Sequence, residues 1–402
     1  MTSSPLTIFV AHPSVLLTDH RPHGDGLAAY GFISRLAERG HMLHVAVEHV
    51  DLARNPGPRV VLHPLPPPPV PGARRPAYAL RLGRLYARLA ATVRFDVAHQ
   101  LNPVDVGLTL LLPRTAAPLV LGPYVPSWPA EALGRPGDLS HRLLRRAGDG
   151  ARRAMLTLQQ RRASMLLLST PAAGERVHAG AGVLLRELSA GVDTSVFVPA
   201  PEPPDEPPRI LFLANLDRWK GIHPLLEAFD MVAARHPDCR LVVGGDGGQD
   251  AAVRARAAAS PFAGRIDVLG RVAREEVPAL LRACSVYCLP SKREPFGISV
   301  LEAMACARPV VVTDAGGLRH LVDDEGGRRV PPDDPPALAA ALGEILAAPD
   351  ARRAMGAHNR RKVEERYEWE RVVDRLEELY RELVASPYAP RRSRASLAKR
   401  ST

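Results

Sequence analysis

SVYCLPSKREPFGISVLEAMACARPVVVTDAGG, residues 285–317, reads as strand, loop, helix, strand. Continuous apolar strands on either side of a helix indicate a parallel sheet covered on both faces. Inside this unit Glu294 and Glu302 stand eight residues apart. That spacing does not fit one helix face, where neighbours lie three or four apart, so each carboxylate has its own task. The helix is expected to begin near Ser299, with unpaired first-turn N–H groups. The Phe296-Gly297-Ile298 turn aims more N–H groups the same way, and the glycine permits close approach, which together make an anion site. Glu302, one turn in, can accept hydrogen bonds from vicinal hydroxyls, and Glu294 in the loop can do so for a second sugar. A ribose, a hexose and the phosphates between them describe a nucleotide-sugar site. The plainer alternative leaves Glu302 complementing the helix dipole and Glu294 as a loop charge.

The same rhythm extends in both directions. TIFVAH (7–12), HMLHVAVEH (41–49), FDVAHQ (95–100) and APLVLGP (117–123) read as strands, with a helix over 26–40. PAPEPPDEPP (199–208) cannot pack as a core element and reads as a linker. After it RILFLAN (209–215), CRLVVGGDG (239–247), IDVLGRV (266–272), SVYCLPS (285–291) and PVVVTDAGG (309–317) restart the pattern. Two α/β domains in series are expected, at 1–198 and 209–366. The amphipathic helix in 367–385 is expected to pack back toward the first domain, and 386–402 to form a basic, disordered tail.

The chain has 402 residues, which suits two cores rather than one. Its net charge of +10 is concentrated in residues 1–200, while 201–385 are slightly acidic. A basic half suits nucleic acid, an anionic membrane or an anionic substrate. No stretch reads as a signal peptide or a membrane span. Cys239, Cys284, Cys288 and Cys306 lie in apolar segments without a C-x-x-C pair and read as buried free thiols of a cytosolic protein.

Three Gly-rich turns, HGDG (23–26), GGDGG (244–248) and DAGG (314–317), follow strands, where open α/β sheets bind ligands. None matches the dinucleotide fingerprint or the P-loop. Arg218 and Lys220 follow the first strand of the second domain and are placed to hold a diphosphate, Arg as a fork and Lys as a point charge. Their plainer reading is solvated loop charge.

The block E-P-F-G-I-S-V-L-E-A-M-A resembles the E-x7-E signature of retaining GT-B glycosyltransferases of family 4. FVAHPS, HGDG, FDVAHQLNP, GVDTSVFVP (191–199), LDRWKGIHPLLEAF, GGDG and VLGRV follow in that family's order along nearly the whole chain. The resemblance implies a GT-B fold, two Rossmann-like domains facing each other across a cleft. It implies Lys220 and Arg218 on the donor diphosphate, the Val272 backbone at the base, and Glu302 on the ribose. It implies Glu294 at the donor sugar, Phe296, Gly297 and Ile298 at sugar and phosphates, and Gly24 and Asp25 in a closing loop. His99 is the candidate for the family's mid-domain histidine, although the family's second histidine is Leu101 here. Ala214-Asn215 stands where the family has Gly-Arg, and Arg218 is the nearest substitute.

The implied reaction moves a hexose from a nucleoside diphosphate to a hydroxyl with retention. No Asp-x-Asp stands at a strand end, so neither a metal nor another cofactor is expected. The Arg-rich segments 72–95 and 141–162 suit a membrane surface and a lipid-linked acceptor, or are ordinary solvated faces. The rival readings are an enzyme acting on a soluble or natural-product acceptor, a sugar-nucleotide epimerase, and an inactive GT-B scaffold binding membrane or nucleic acid. Against nucleic acid, the sequence shows no aromatic stacking platform or binding motif.

Overall fold

The computed structural model describes residues 4–21, 23–66, 74–101, 106–113, 117–125, 139–201 and 207–385, without the side chains of Arg74, residues 139–149 and Arg176. The middle of the expected linker (202–206) and the whole of the expected tail (386–402) lie outside the described residues.

The first half contains β1 (Thr7–Ala11), β2 (Leu16–Thr18), α1 (Gly24–Glu38), β3 (Met42–Val47), β4 (His49–Asp51), β5 (Val60–Pro64), α2 (Arg74–Ala90), β6 (Val97–Gln100), β7 (Leu119–Tyr124), α3 (Leu139–Arg162), β8 (Met165–Leu168) and β9 (Leu184–Glu187). Seven of these strands form a parallel sheet in the order β5-β3-β1-β6-β7-β8-β9.

The second half contains β10 (Arg209–Leu213), α4 (Ile222–Ala233), β11 (Arg240–Gly244), α5 (Asp250–Ala258), β12 (Ile266–Gly270), α6 (Val277–Ala283), β13 (Val286–Leu289), α7 (Ile298–Ala305), β14 (Val310–Thr313), α8 (Leu318–Leu321), β15 (Gly327–Val330), α9 (Pro335–Ala347), α10 (Pro349–Arg366) and α11 (Trp369–Ala385). Its six-stranded sheet is also parallel, ordered β12-β11-β10-β13-β14-β15. The central strands β13 and β14 are buried at every position, because helices cover both faces. The four cysteines are buried and free.

Both sheets reverse their strand order beside their first strand, between β1 and β6 and between β10 and β13. The loops diverge there and leave a crevice at the carboxyl ends of the strands. Two chain segments cross side by side between the halves: Val192 N donates to Tyr367 O at 2.8 Å and Trp369 N to Val192 O at 3.2 Å.

The last helix, α11, belongs to the first domain's core. Trp369, Val372, Val373, Leu376, Leu379, Tyr380 and Leu383 form its buried stripe and cluster with Ile8, Phe32, Leu36 and Val45. At the rim of this contact Arg39 donates to Asp374 at 2.6 Å and to Glu377 at 2.8 Å.

Candidate active site

The carboxyl ends of both sheets face one cleft of about 570 Å3. The first domain contributes Pro13 after β1, Gly24 and Asp25 at the start of α1, and Leu101 after β6. The second contributes Asn215 and Lys220 after β10, Asp246 after β11, Arg271, Val272 and Arg274 after β12, and Glu294 through Ser299 with Glu302 around the start of α7.

Local chemistry turns Lys220 into this cleft. Arg218–Lys220 form one 3-10 turn, and Gly221 then takes φ 78° to begin α4. A Cβ on Gly221 would lie 1.9 Å from Pro290 O, so only glycine lets this turn press against the exit of β13. Trp219 O accepts from Lys292 N at 2.8 Å and from Ser291 Oγ at 3.1 Å, which ties the two loops together. Lys220 Nζ then donates to Glu294 Oε2 at 2.6 Å. Glu294 is 8% exposed, and its carbonyl accepts from Gly317 N at 2.9 Å in the DAGG turn.

The start of α7 is built on Gly297 at φ 96°, with no side chain capping the first turn. A Cβ there would meet Leu318 Cδ2 at 2.7 Å. Those N–H groups and the helix dipole are thus left to the cleft. Gly24 of the first domain lies across from them: a Cβ on it would be 3.7 Å from Ile298 Cδ1. The two domains approach each other closely beside the Gly297 turn.

Glu302 is 3% exposed and pairs with Arg274 Nη1 at 2.6 Å. Arg274 also lies 5.0 Å from the centre of the Phe197 ring. Burial raises the Glu302 carboxyl above its ordinary range, and the Arg274 charge only partly opposes this. Arg271 pairs with Asp246 at 2.9 Å in the more exposed part of the cleft. Sequence reading passed over Arg274 and this Arg271–Asp246 pair. The usable signal was their position directly after β11 and β12, on the side where such sheets bind ligands.

Two sequence expectations are not supported by the geometry. Arg218 is exposed and does not line the cleft, whereas Asn215 does, so the geometry lends no support to Arg218 as the substitute for the arginine expected there. A 3-10 turn sends adjacent side chains in different directions, and only Lys220 points inward. His99 is fully buried and lies outside the cleft lining. Its Nε2 donates to Gly122 O at 3.0 Å, so Nδ1 accepts the Tyr380 hydroxyl proton at 2.6 Å. Burial lowers its pKa to about 4, which keeps the ring neutral in this role. His99 therefore anchors α11 to the first sheet. His99→Leu is expected to destabilise the protein by about 1–3 kcal/mol, because the Tyr380 hydroxyl and Gly122 carbonyl lose their partner. Thermal unfolding with nucleotide binding measured alongside checks this, and unchanged binding is expected.

A cleft between two doubly wound sheets, with an uncapped helix start and paired charges at the switch point, defines a GT-B architecture. Comparison with known proteins narrows this. The family model for glycosyl transferases group 1 matches residues 195–362. A phosphatidyl-myo-inositol mannosyltransferase of Mycolicibacterium smegmatis is 36% identical over 200 residues, 48% of this chain and 51% of the relative. An alpha-maltose-1-phosphate synthase of the same species is 30% identical over 282 residues, 64% of this chain and 70% of the relative. The chain thus spans about half the length of the first relative. The structure of a sucrose-phosphate synthase of Thermosynechococcus elongatus superposes with a TM-score of 0.74 at 21% identity, covering 95% of this chain and 100% of the other. The chain belongs to the group 1 glycosyltransferases.

Proposed function

We propose that the protein is a retaining, family 4 glycosyltransferase that moves a hexose from a UDP- or GDP-linked donor to a hydroxyl acceptor during assembly of a cell-surface polysaccharide or glycolipid. The observation that carries this reading is the Lys220–Glu294 pair at 2.6 Å beside the uncapped start of α7. The Lys220 ammonium and the Gly297 and Ile298 amides stabilise the charge that develops on the leaving diphosphate as the sugar–oxygen bond breaks. Glu294 accepts from the donor sugar's hydroxyls, Glu302 from the ribose, and the Val272 backbone flanks the base. Arg274 holds the Glu302 carboxylate in place, and the Gly24–Asp25 turn closes the reacting end against water. The similarity to a phosphatidyl-myo-inositol mannosyltransferase supports a glycolipid acceptor.

Thermal unfolding with UDP, GDP, dTDP, ADP and their sugars tests the donor site. One base is expected to stabilise the protein, by about 2.7 kcal/mol at a hundredfold excess over its Kd. Glu302→Ala is expected to weaken that effect. No shift with any nucleotide, in folded protein, overturns the reading in favour of an inactive scaffold. Only the ionised Glu302 accepts both ribose hydroxyls. Because its folded pKa is raised, binding is expected to weaken on acidification at a higher pH than for an ordinary glutamate. A pH series of the nucleotide Kd checks this against Glu302→Gln, which should flatten it.

A peripheral position on the inner, anionic face of the plasma membrane is the companion proposal. Among the described residues no helix is long and apolar enough to cross a membrane. Leu80 on α2, Leu111, and Met155 and Leu158 on α3 are exposed. Arg81, Arg84 and Arg88 on α2 and Arg152, Arg153 and Arg161 on α3 are exposed with them. Residues 106–113 bridge the two helices, with Arg162 donating to Leu112 O at 2.6 Å. Apolar side chains rimmed by arginine suit an anionic lipid surface. Co-sedimentation with phosphatidylglycerol vesicles, lost in high salt and absent with phosphatidylcholine, is the expected result. Leu111→Asp with Leu158→Asp should abolish it.

A further inference from the structure

A second cavity, of about 350 Å3, adjoins the cleft and shares Ser169 and Phe296 with it. It lies among the ends of β8 and β9, the α8 turn and the junction between α10 and α11. That junction brings Arg366, Arg371 and Arg375 to its lining. Glu187 is the acidic side chain that lines it with them. Arg375 pairs with Glu378 at 3.0 Å, while Arg366 and Arg371 make no ion pair among the described residues.

The first domain supplies the second observation. Thr170, only 5% exposed, lines the cavity, and its Oγ1 has no hydrogen-bond partner. Ser169 Oγ is in the same state. Thr170 occupies the N-cap position of the 3-10 turn Pro171–Arg176, where a threonine ordinarily caps, yet its side chain makes no cap bond. Leaving a buried hydroxyl unpartnered costs about 1–3 kcal/mol. Such a group calls for a reason, and a ligand is one.

The chemistry of the ligand follows from the lining. Guanidinium groups are donors only, and a hydroxyl can always donate its proton. A ligand that satisfies all of them offers several acceptor oxygens and negative charge. A phosphate does both, and the planar fork of arginine matches it. Phe296 precedes the Gly297 turn, so a molecule anchored in this cavity extends toward the reacting end of the cleft.

We propose that this cavity binds the phosphate group of a phosphorylated acceptor and thereby positions the acceptor hydroxyl in the adjoining cleft. The assignment rests on the transferase reading above. The arginines lie beside the crossing segments at Val192 and Tyr367, so the bound phosphate also bridges the two domains.

The test is thermal stabilisation of the full chain by glycerol 3-phosphate, by inorganic phosphate and by the preferred nucleoside diphosphate. It uses the wild type, the double variant Arg366→Gln/Arg371→Gln, Thr170→Val and Lys220→Ala. Glycerol 3-phosphate is expected to stabilise the wild type and Lys220→Ala, and to bind about tenfold more weakly to the double variant and to Thr170→Val. The nucleotide shift should be lost in Lys220→Ala and kept in the double variant, which also shows that the latter is folded. Glycerol 3-phosphate binding that survives the arginine changes, or that disappears with Lys220→Ala, places the phosphate in the donor cleft and overturns the proposal. So does the absence of any shift with glycerol 3-phosphate. Inorganic phosphate binding as tightly as glycerol 3-phosphate makes this a free-anion site and overturns the acceptor assignment. A phosphate shift lost in the double variant, without any nucleotide shift in the wild type, leaves the cavity standing and removes the transferase reading instead.

Discussion

Lys220→Ala is expected to lower kcat/KM for donor turnover by about 100- to 1,000-fold, with most of the loss in kcat. Lys220 is the one lysine that lines the cleft among the described residues, and its Nζ lies 2.6 Å from Glu294. The charge it meets grows as the diphosphate departs, so its interaction is stronger in the transition state than in the bound donor. The substitution also leaves Glu294, 8% exposed, without its cation. Lys220→Arg should recover only part of the rate, because a planar fork does not reproduce a point charge in this setting. Steady-state kinetics of donor hydrolysis or transfer checks both variants. A kcat within about threefold of wild type would move the diphosphate away from Lys220.

Gly221→Ala is expected to be the most damaging small substitution in the second domain. The backbone there sits at φ 78°, and the added methyl would lie 1.9 Å from Pro290 O, a backbone atom that cannot step aside. Left-handed strain alone costs an alanine about 1–2 kcal/mol. Displacing the loop after β13 adds to this, so a total loss of about 3 kcal/mol or more is expected, read as a fall in Tm of roughly 6–12 °C. The two sides of this contact carry Lys220 and Glu294, so nucleotide affinity should fall as well. A Gly221→Ala protein with wild-type Tm and nucleotide affinity would refute the assigned geometry. An exposed alanine change such as Arg361→Ala in the middle of α10 serves as the comparison and should move neither quantity.

Much of this architecture was legible because its signals are local. The stretches 209–215, 239–247, 266–272, 285–291 and 309–317 each contain a strand of the second sheet. Continuous apolar runs bounded by Gly and Pro carry that information within a few residues. The short strands β2, β4, β5, β8, β9 and β15 were passed over; β4, β5 and β9 are partly exposed, and β8, although a buried apolar run, is only four residues long. The positions of Glu294, Glu302, Gly297 and Lys220 around the cleft were legible because turn chemistry and helix starts place these residues at the carboxyl ends of the strands.

His99 and Arg218 lie outside the cleft lining for opposite reasons. FDVAHQ shows that a histidine ends a strand, but not that Tyr380, 281 residues later, folds back to cap its ring. A cation in a loop after β10 looks well placed, but the direction of a side chain on a single 3-10 turn depends on what packs against it.

The sequence by itself determined the alternation of strands and helices, the two domains and the glycine turns at the strand ends. Each of these depends on residues close together in the chain. Tertiary structure alone decided which charges meet. Lys220 reaches Glu294 across 74 residues, Arg274 neutralises Glu302, and the junction of α10 and α11 brings Arg366 and Arg371 beside Thr170. Such pairings follow from strand order and from the path of the chain between the domains. Neither leaves a periodic mark in the sequence, because electrostatics and hydrogen bonding act through space rather than along the backbone.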